Sequence, residues 1–205
     1  MVVAVRQGNW DMSEFELYLK LGFDHISDLG AYDHIVFIVA LCAVYRLKQW
    51  RQILMLVTSF TIGHSITLAI STLGIILVPT DIIEFLIPVT IFLTCISNVT
   101  RPTDVDTPRK MNLNYLLTLF FGLVHGMGFS NYLRALLGEE ESILMPLFSF
   151  NIGLEIGQLM IVAMVLAGAG VIVQVFRAEY RAWNLFVSGA AAGISIILMA
   201  ETKFW

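Results

Sequence analysis

Residues 52–78 read QILMLVTSFTIGHSITLAISTLGIILV and contain no Asp, Glu, Lys or Arg. Crossing the hydrocarbon core of a bilayer takes about 20 predominantly apolar residues, so this run predicts a membrane-spanning helix. His64 lies near its middle, and Thr61, Thr67 and Ser71 lie at helical spacing from it. A polar stripe of this kind faces protein or water rather than lipid, which indicates a helix inside a bundle.

The composition of the whole chain agrees with that prediction. Hydrophobic residues make up 58%, charged residues 14%, and the mean hydropathy is +0.80. A soluble domain carries about 25% charged residues, so the composition indicates an integral membrane protein with the lipid bilayer as its partner. Further apolar runs lie at about 31–47, 82–100, 113–137, 143–176 and 183–200. The expected fold is an all-α, polytopic transmembrane helical bundle of about six spans.

The segment before the first apolar run has a different pattern. Between Met12 and Leu29, apolar and charged residues alternate, which predicts an amphipathic helix lying on the membrane surface. We therefore expect an N-terminal extracytoplasmic segment, 1–30, followed by a transmembrane helical domain, 31–205. No apolar run preceded by basic residues occurs in the first segment, so we expect no cleavable signal peptide.

Charged residues in the loops predict the orientation. The connections after the first, third and fifth apolar runs hold most of the basic residues: Arg46, Lys48, Arg51, Arg101, Arg109, Lys110, Arg177 and Arg181. Basic loops stay in the cytoplasm, so both termini should lie outside it, in a bacterial inner (plasma) membrane. The opposite side carries acidic residues, including Glu139, Glu140 and Glu141, which either attract cations or simply solvate loops. A net charge of -4 argues against a nucleic-acid partner.

All four histidines lie in or against apolar segments: His25, His34, His64 and His125. Ionisable groups at membrane depth are costly and normally mark a site or pathway. Both cysteines, Cys42 and Cys95, lie in separate apolar runs, so neither a disulfide framework nor a thiolate zinc site of the usual spacing is available. The sequence therefore predicts a metal ion held by nitrogen and oxygen atoms.

Further polar side chains lie close to the histidines in the predicted bundle. Asp33 precedes His34, and Asn151 and Glu155 are one helical turn apart. The predicted metal ligands are thus His25, Asp33, His34, His64, His125, Asn151 and Glu155. Asp33 is either a ligand or the acceptor of a histidine N–H. Imidazole suits nickel, cobalt, copper and zinc, so we expect a divalent transition metal ion, Ni, Co or Zn.

Four ordered motifs resemble those of the HupE/UreJ family. They are GFDH at 22–25 with YDHIVF at 32–37, FTIGHSITL at 60–68, FGLVHGMGF at 121–129 and FNIGLEIGQ at 150–158. The resemblance covers residues 15 to 200. It implies a small polytopic nickel or cobalt permease associated with metal supply to hydrogenase and urease. His25, Asp33, His34, His64, His125 and Glu155 match the motif positions, although here seven residues separate His25 from Asp33.

Two other functions remain open from the sequence. An intramembrane zinc-dependent hydrolase would use a histidine-bound zinc, with Glu155 or Asp33 as general base. An accessory subunit of a larger membrane complex, or a homo-oligomer, would use the small-residue pairs Gly153/Gly157 and Gly189/Gly193. The sequence shows no internal repeat strong enough to support a prediction.

Overall fold

The computed structural model describes residues 12–76, 78–100, 111–137 and 142–205, and these residues form seven α-helices and no strand. The helices are α1 (Glu14–Ser27), α2 (Asp33–Cys42), α3 (Trp50–Thr72), α4 (Thr80–Thr100), α5 (Met111–Leu137), α6 (Leu144–Gly170) and α7 (Tyr180–Glu201). The all-α prediction is confirmed. The Glu139–Glu141 run and the connector from Arg101 to Lys110 lie outside the described residues.

Five of the helices, α3 to α7, are long and apolar enough to cross a membrane. The predicted first span, 31–47, is instead the 10-residue helix α2. At 1.5 Å per residue it is about 15 Å long, half of what the hydrocarbon core of a bilayer requires. The expected count of six continuous spans is therefore not confirmed.

Helix α1 packs inside the bundle along one face. Ser13 caps its first turn in a capping box with Glu16, and Tyr18, Gly22 and Ile26 are buried at successive turns. This face packs against α6, where Gly153 and Gly157 allow close approach. The prediction that α1 lies on the membrane surface is not confirmed, because its buried side is covered by protein.

The α1 and α6 backbones touch at glycines. A methyl group on Gly22 would overlap the carbonyl of Phe150, and one on Gly153 would overlap the carbonyl of Leu19. Residue numbers increase in the same direction along the two helices, since Gly157, one turn after Gly153, meets Ile26, one turn after Gly22. α1 and α6 are therefore parallel, and the small-residue pair that was a candidate subunit contact serves packing within the chain.

A second parallel pair is formed by α3 and α5. A methyl group on Gly63 would overlap the carbonyl of Leu119, and one on Gly122 would overlap the carbonyl of Phe60. One turn further along, Gly126 meets the carbonyl of His64. The glycines bring the two backbones together over two turns. By contrast, Gly189 and Gly193 on α7 have no atom within 4 Å of an added methyl group.

Several connections lie together at one end of the bundle. The Tyr180 hydroxyl donates to the carbonyl of Tyr45, the Arg46 guanidinium lies over the Tyr180 ring at 5.2 Å, and Arg181 donates to the carbonyl of Val99. We call this the basic end; its described basic residues are Arg46, Lys48, Arg51, Arg177 and Arg181. Helices α1, α4 and α6 run toward the basic end, and α3, α5 and α7 run away from it.

Helix α2 continues the direction of α1. Its first turn adjoins the end of α1, because the rings of His25 and His34 are 4.7 Å apart. Near its last turn the carbonyl of Ala40 accepts from the Asn98 side chain, close to the basic end. Residues 28–32 between the two helices are not helical. Together α1 and α2 form a broken helix whose interruption lies at the depth of Gly157, midway along α6.

Candidate metal centre

Three histidines from three helices converge at the break between α1 and α2. His25 lies in the last turn of α1, His34 lies in the first turn of α2, and His64 lies midway along α3, next to the glycine that contacts α5. One ring nitrogen of each lies within 4.8 Å of those of the other two. His34 and His64 are buried, and His25 is partly buried. The three histidines belong to three different helices, so only the fold brings their side chains together.

Asp33 orients His34. Its Oδ1 accepts the backbone N–H of His34 at 2.8 Å and the ring Nδ1–H at 3.0 Å. Because a carboxylate only accepts, the proton is on Nδ1 and the lone pair of the ring is on Nε2. This is the arrangement in which a carboxylate fixes the tautomer of a metal-binding histidine. The structure thus shows Asp33 as the acceptor of a histidine N–H, which is one of the two roles predicted from the sequence.

His125 adjoins the three other histidines from α5. Its ring lies 5.2 Å from that of His34, and its Nδ1 is 2.8 Å from the carbonyl of Phe121. A carbonyl only accepts, so Nδ1 carries the proton and Nε2 again carries the lone pair. His125 thus presents the same tautomer as His34, although its ring nitrogens lie outside the group of three.

Five further ring nitrogens of the histidines are buried without a hydrogen-bond partner. The Nε2 atoms of His25, His34 and His125 and both ring nitrogens of His64 are buried without a hydrogen bond. Buried polar atoms are normally paired, and leaving one unpaired costs about 1–3 kcal/mol. A bound cation would satisfy several of these lone pairs at once. The donor set, imidazole nitrogens with a supporting carboxylate, suits nickel, cobalt, copper or zinc.

Asn151 and Glu155 lie on α6 and are engaged with α3. The Asn151 side-chain oxygen accepts from Ser65 at 2.6 Å, and Glu155 accepts from Thr58 at 2.8 Å. A third hydrogen bond joins the same two helices, since the Gln158 side-chain oxygen accepts from Thr61 at 2.7 Å. Neither predicted ligand belongs to the group of three histidines among the described residues. Their assignment as ligands stays a prediction.

These three hydrogen bonds form what we call the polar ladder: Thr58–Glu155, Thr61–Gln158 and Ser65–Asn151. The sequence analysis missed the α3 side of the ladder, except for Thr61. Positions 58, 61 and 65 share one helical face, as do 151, 155 and 158, so matching hydroxyl and amide stripes were the available signal.

Aromatic rings enclose the histidines on two sides. Phe129 lies 4.0 Å from the His25 ring, and Phe150 lies 5.6 Å from it. On the other side Phe60 lies 5.1 Å and Phe37 5.3 Å from the His125 ring. Phe37, Phe60 and Phe150 are fully buried. On these two sides the cluster is therefore shielded from water, which strengthens electrostatic interactions with an ion.

Comparison with known proteins gives a match over nearly the whole chain. A family model described as HupE / UreJ protein matches residues 3–204. No curated protein and no solved structure matches the chain.

Proposed function

Because the chain belongs to the HupE/UreJ family, we propose that it carries a divalent transition metal ion, nickel or cobalt, across a membrane through the histidine cluster. The family is related to nickel and cobalt transport, and the five apolar helices make the chain a multi-pass membrane protein. The observation that carries the proposal is the convergence of His25, His34 and His64, whose ring nitrogens lie within 4.8 Å of one another.

The proposed ion is bound by nitrogen. His25, His34 and His64 supply it, Asp33 holds the His34 ring in the binding tautomer, and His125 adjoins as a fourth imidazole. Metal–nitrogen bonds are about 2.1 Å long, so ligand nitrogens move closer together than they are in the structure. Ion binding thus contracts the cluster and pulls on three helices at once.

The proposed orientation places the basic end in the cytoplasm, by the positive-inside rule. The acidic residues of the opposite end then face outward; the described ones include Glu14, Glu16, Asp81, Glu84 and Glu201. A negative outer surface concentrates cations at the mouth of the path. We place the protein in a bacterial inner membrane with both termini outside the cytoplasm.

From the cluster, the polar ladder offers oxygen atoms toward the basic end. Thr58 and Thr61 precede His64 on α3, which runs away from that end. Glu155 and Gln158 oxygens face them from α6. Oxygen atoms bind nickel and cobalt more weakly than imidazole does, so an ion passing from cluster to ladder is closer to release.

The hydrolase alternative gains no support from the side chains near the cluster. The Ser65 hydroxyl donates to the carbonyl of Thr61 or to Asn151, and the Ser130 hydroxyl donates to the carbonyl of Met127. Asp33 is hydrogen-bonded to His34, and Glu155 is hydrogen-bonded to Thr58. We retain transport as the proposed function.

Uptake by purified protein in sealed lipid vesicles tests the proposal. A metal-sensitive dye inside the vesicles reports entry of nickel or cobalt ions added outside. We expect uptake by the unaltered protein and none by His64→Ala. The matched control is Ile62→Ala, on the same helix but facing outward, which should retain uptake. Equal uptake by His64→Ala and the unaltered protein, both correctly inserted, would contradict the proposal.

A further inference from the structure

Two pairs of helices share sequence at matching positions. Residues 59–66 of α3 read SFTIGHSI and residues 149–156 of α6 read SFNIGLEI. Residues 19–25 of α1 and 119–125 of α5 share Leu, Gly and His at the same spacing. By this alignment Phe60 corresponds to Phe150, and His25 corresponds to His125.

The contacts of these residues match as well. Gly22 faces the carbonyl of Phe150 and the amide of Leu154, and Gly122 faces the carbonyl of Phe60 and the amide of His64. Likewise Gly63 meets Leu119 and Leu123 as Gly153 meets Leu19 and Phe23. The crossing of α1 with α6 and that of α5 with α3 are thus built in the same way from aligned residues.

The matching helices run in opposite directions. α1 runs toward the basic end and its counterpart α5 runs away from it; α6 runs toward the basic end and α3 away. Helix α4 follows α3 along the chain as α7 follows α6, and α4 and α7 also run in opposite directions. These two helices pack together through Asn98 and Ser188. In membrane carriers, inverted repeats of this kind meet at the substrate site, where broken helices supply ligands.

The two aligned phenylalanines lie on opposite sides of the histidines. Phe60 precedes His64 on α3 and therefore lies toward the basic end, where it packs 5.0 Å from Phe37. Phe150 precedes Leu154 on α6, which runs the other way, and packs 5.3 Å from Phe129 on the side away from the basic end. Each also contacts the histidine of its own crossing: Phe60 lies near His125 and Phe150 near His25.

We propose that residues 14–100 and 111–201 are two inverted copies of one helical unit, and that Phe60 and Phe150 are the two gates of the ion path. The inference rests on the proposed function. The crossed pairs α1 with α6 and α3 with α5 act as two rigid arms, because their glycines lock backbone to backbone. Rocking one arm against the other parts Phe150 from Phe129 at one end, or Phe60 from Phe37 at the other.

The ligands themselves break the symmetry. Leu154 occupies the position that corresponds to His64, and α5 continues as an unbroken helix where the first copy breaks to present Asp33 and His34. One imidazole-rich site therefore lies between the arms instead of two. A single site between two gates admits an ion from one side at a time, which is the requirement for alternating access.

The test uses sealed vesicles of known protein orientation, loaded with nickel or cobalt ion, and EDTA, which does not cross lipid. Phe150→Ala should release the bound ion to EDTA added at the face away from the basic end. Phe60→Ala should release it to EDTA added at the basic-end face. Each substitution removes the aromatic contact that closes one gate, so we expect ion release about tenfold faster than from the unaltered protein.

Matched controls are Phe148→Ala on α6 and Ile62→Ala on α3, whose side chains are exposed on the outer surface of the bundle. Both should retain the ion like the unaltered protein. Phe60→Leu and Phe150→Leu replace the alanine variants if those fail to fold. The gate assignment would be overturned if both variants released the ion to the same face, or if each released it equally to both faces. It would also be overturned if both variants released the ion at the rate of the unaltered protein.

A second readout separates this inference from the transport proposal. The chain's four histidines are all at the cluster, so their modification by diethyl pyrocarbonate reports access to it without a bound ion. If the unaltered protein binds no metal, the proposed function fails, while labelling about tenfold faster in both gate variants still supports the gates. Labelling at the unaltered rate in both variants overturns them.

Discussion

The Asp33 carboxylate accepts two hydrogen bonds from His34, one from the backbone N–H at 2.8 Å and one from the ring at 3.0 Å. Asp33 also begins α2, where a negative charge is favourable because the N-terminus of a helix carries partial positive charge. One side chain thus stabilises the first turn of α2 and fixes the direction of the His34 lone pair. The short helix and the ligand are positioned together.

Replacing Asp33 therefore tests whether that positioning matters for the ion. We expect Asp33→Asn to weaken nickel or cobalt affinity by about 10–100-fold, the usual cost of losing a hydrogen-bond partner of a metal-binding histidine. Titration calorimetry of the purified protein measures the change. Asp24→Asn is the control, because Asp24 is exposed and pairs with Lys20. An affinity equal to that of the unaltered protein would show that the His34 tautomer does not depend on Asp33.

The four histidines should not contribute equally. His25, His34 and His64 present nitrogens within 4.8 Å of one another, and His125 lies beside them. We expect His34→Ala or His64→Ala to abolish the visible absorption of bound cobalt. His125→Ala should retain a weaker or shifted band. If His125→Ala alone abolishes the band, the ion lies closer to α5 than the group of three indicates.

Acid should weaken ion binding. A protonated imidazole has no lone pair to donate, so metal and protons compete for the same nitrogen atoms. We therefore expect the dissociation constant for cobalt to rise as the pH is lowered from about 8 to about 4. A dissociation constant that stays unchanged over this range would contradict binding by the histidines.

Glu155 provides a test of the polar ladder. Its carboxylate accepts from Thr58 and does not join the three histidines. We expect Glu155→Gln to reduce the rate of uptake more than the equilibrium affinity, measured by vesicle uptake and by calorimetry on the same preparation. Thr58→Val is the companion variant, since it removes the hydroxyl from the other side. Loss of affinity as large as in His64→Ala would make Glu155 a ligand, as the family motif implies.

The glycine crossings should be intolerant of even one methyl group. Gly63→Ala places a Cβ against the carbonyl of Leu119, and forcing the helices apart costs about 1–3 kcal/mol. Thermal unfolding in detergent should show a lower midpoint. Gly189→Ala is the matched control, because it meets no atom within 4 Å and should raise stability by up to about 1 kcal/mol. Equal midpoints for both variants would contradict the packing argument.

Much of the fold follows from the sequence because hydropathy reports directly on lipid exposure. The five long helices coincide with apolar runs, and His34, His64 and His125 are buried as their apolar surroundings indicate. Hydropathy cannot distinguish a broken helix inside the bundle, such as α1 with α2, from a surface helix followed by a membrane span. Helix α1 is apolar on one face and α2 on most of its surface. Only their packing partners, α6 for α1 and α4, α6 and α7 for α2, determine where they lie.

The internal symmetry is equally hidden from a sequence. Residues at a helix crossing are constrained by contact, as with the shared Phe and Gly of α3 and α6. Some outward positions match as well, as Met55 does with Met145, but any apolar side chain is tolerated on a lipid-facing surface, so such matches carry little information. A few matching residues in each helix become persuasive only when their contacts are seen to match.

The interruption between α1 and α2 has a consequence for hydration. Residues 28–32 lie midway along α6, and Asp28, Leu29 and Gly30 are exposed on the bundle surface. Gly30 donates to the Asp28 side chain, but a non-helical peptide at that depth cannot satisfy all of its amides and carbonyls in hydrocarbon. We therefore expect water to reach residues 28–32, so that His25 adjoins solvent below the plane of the lipid headgroups.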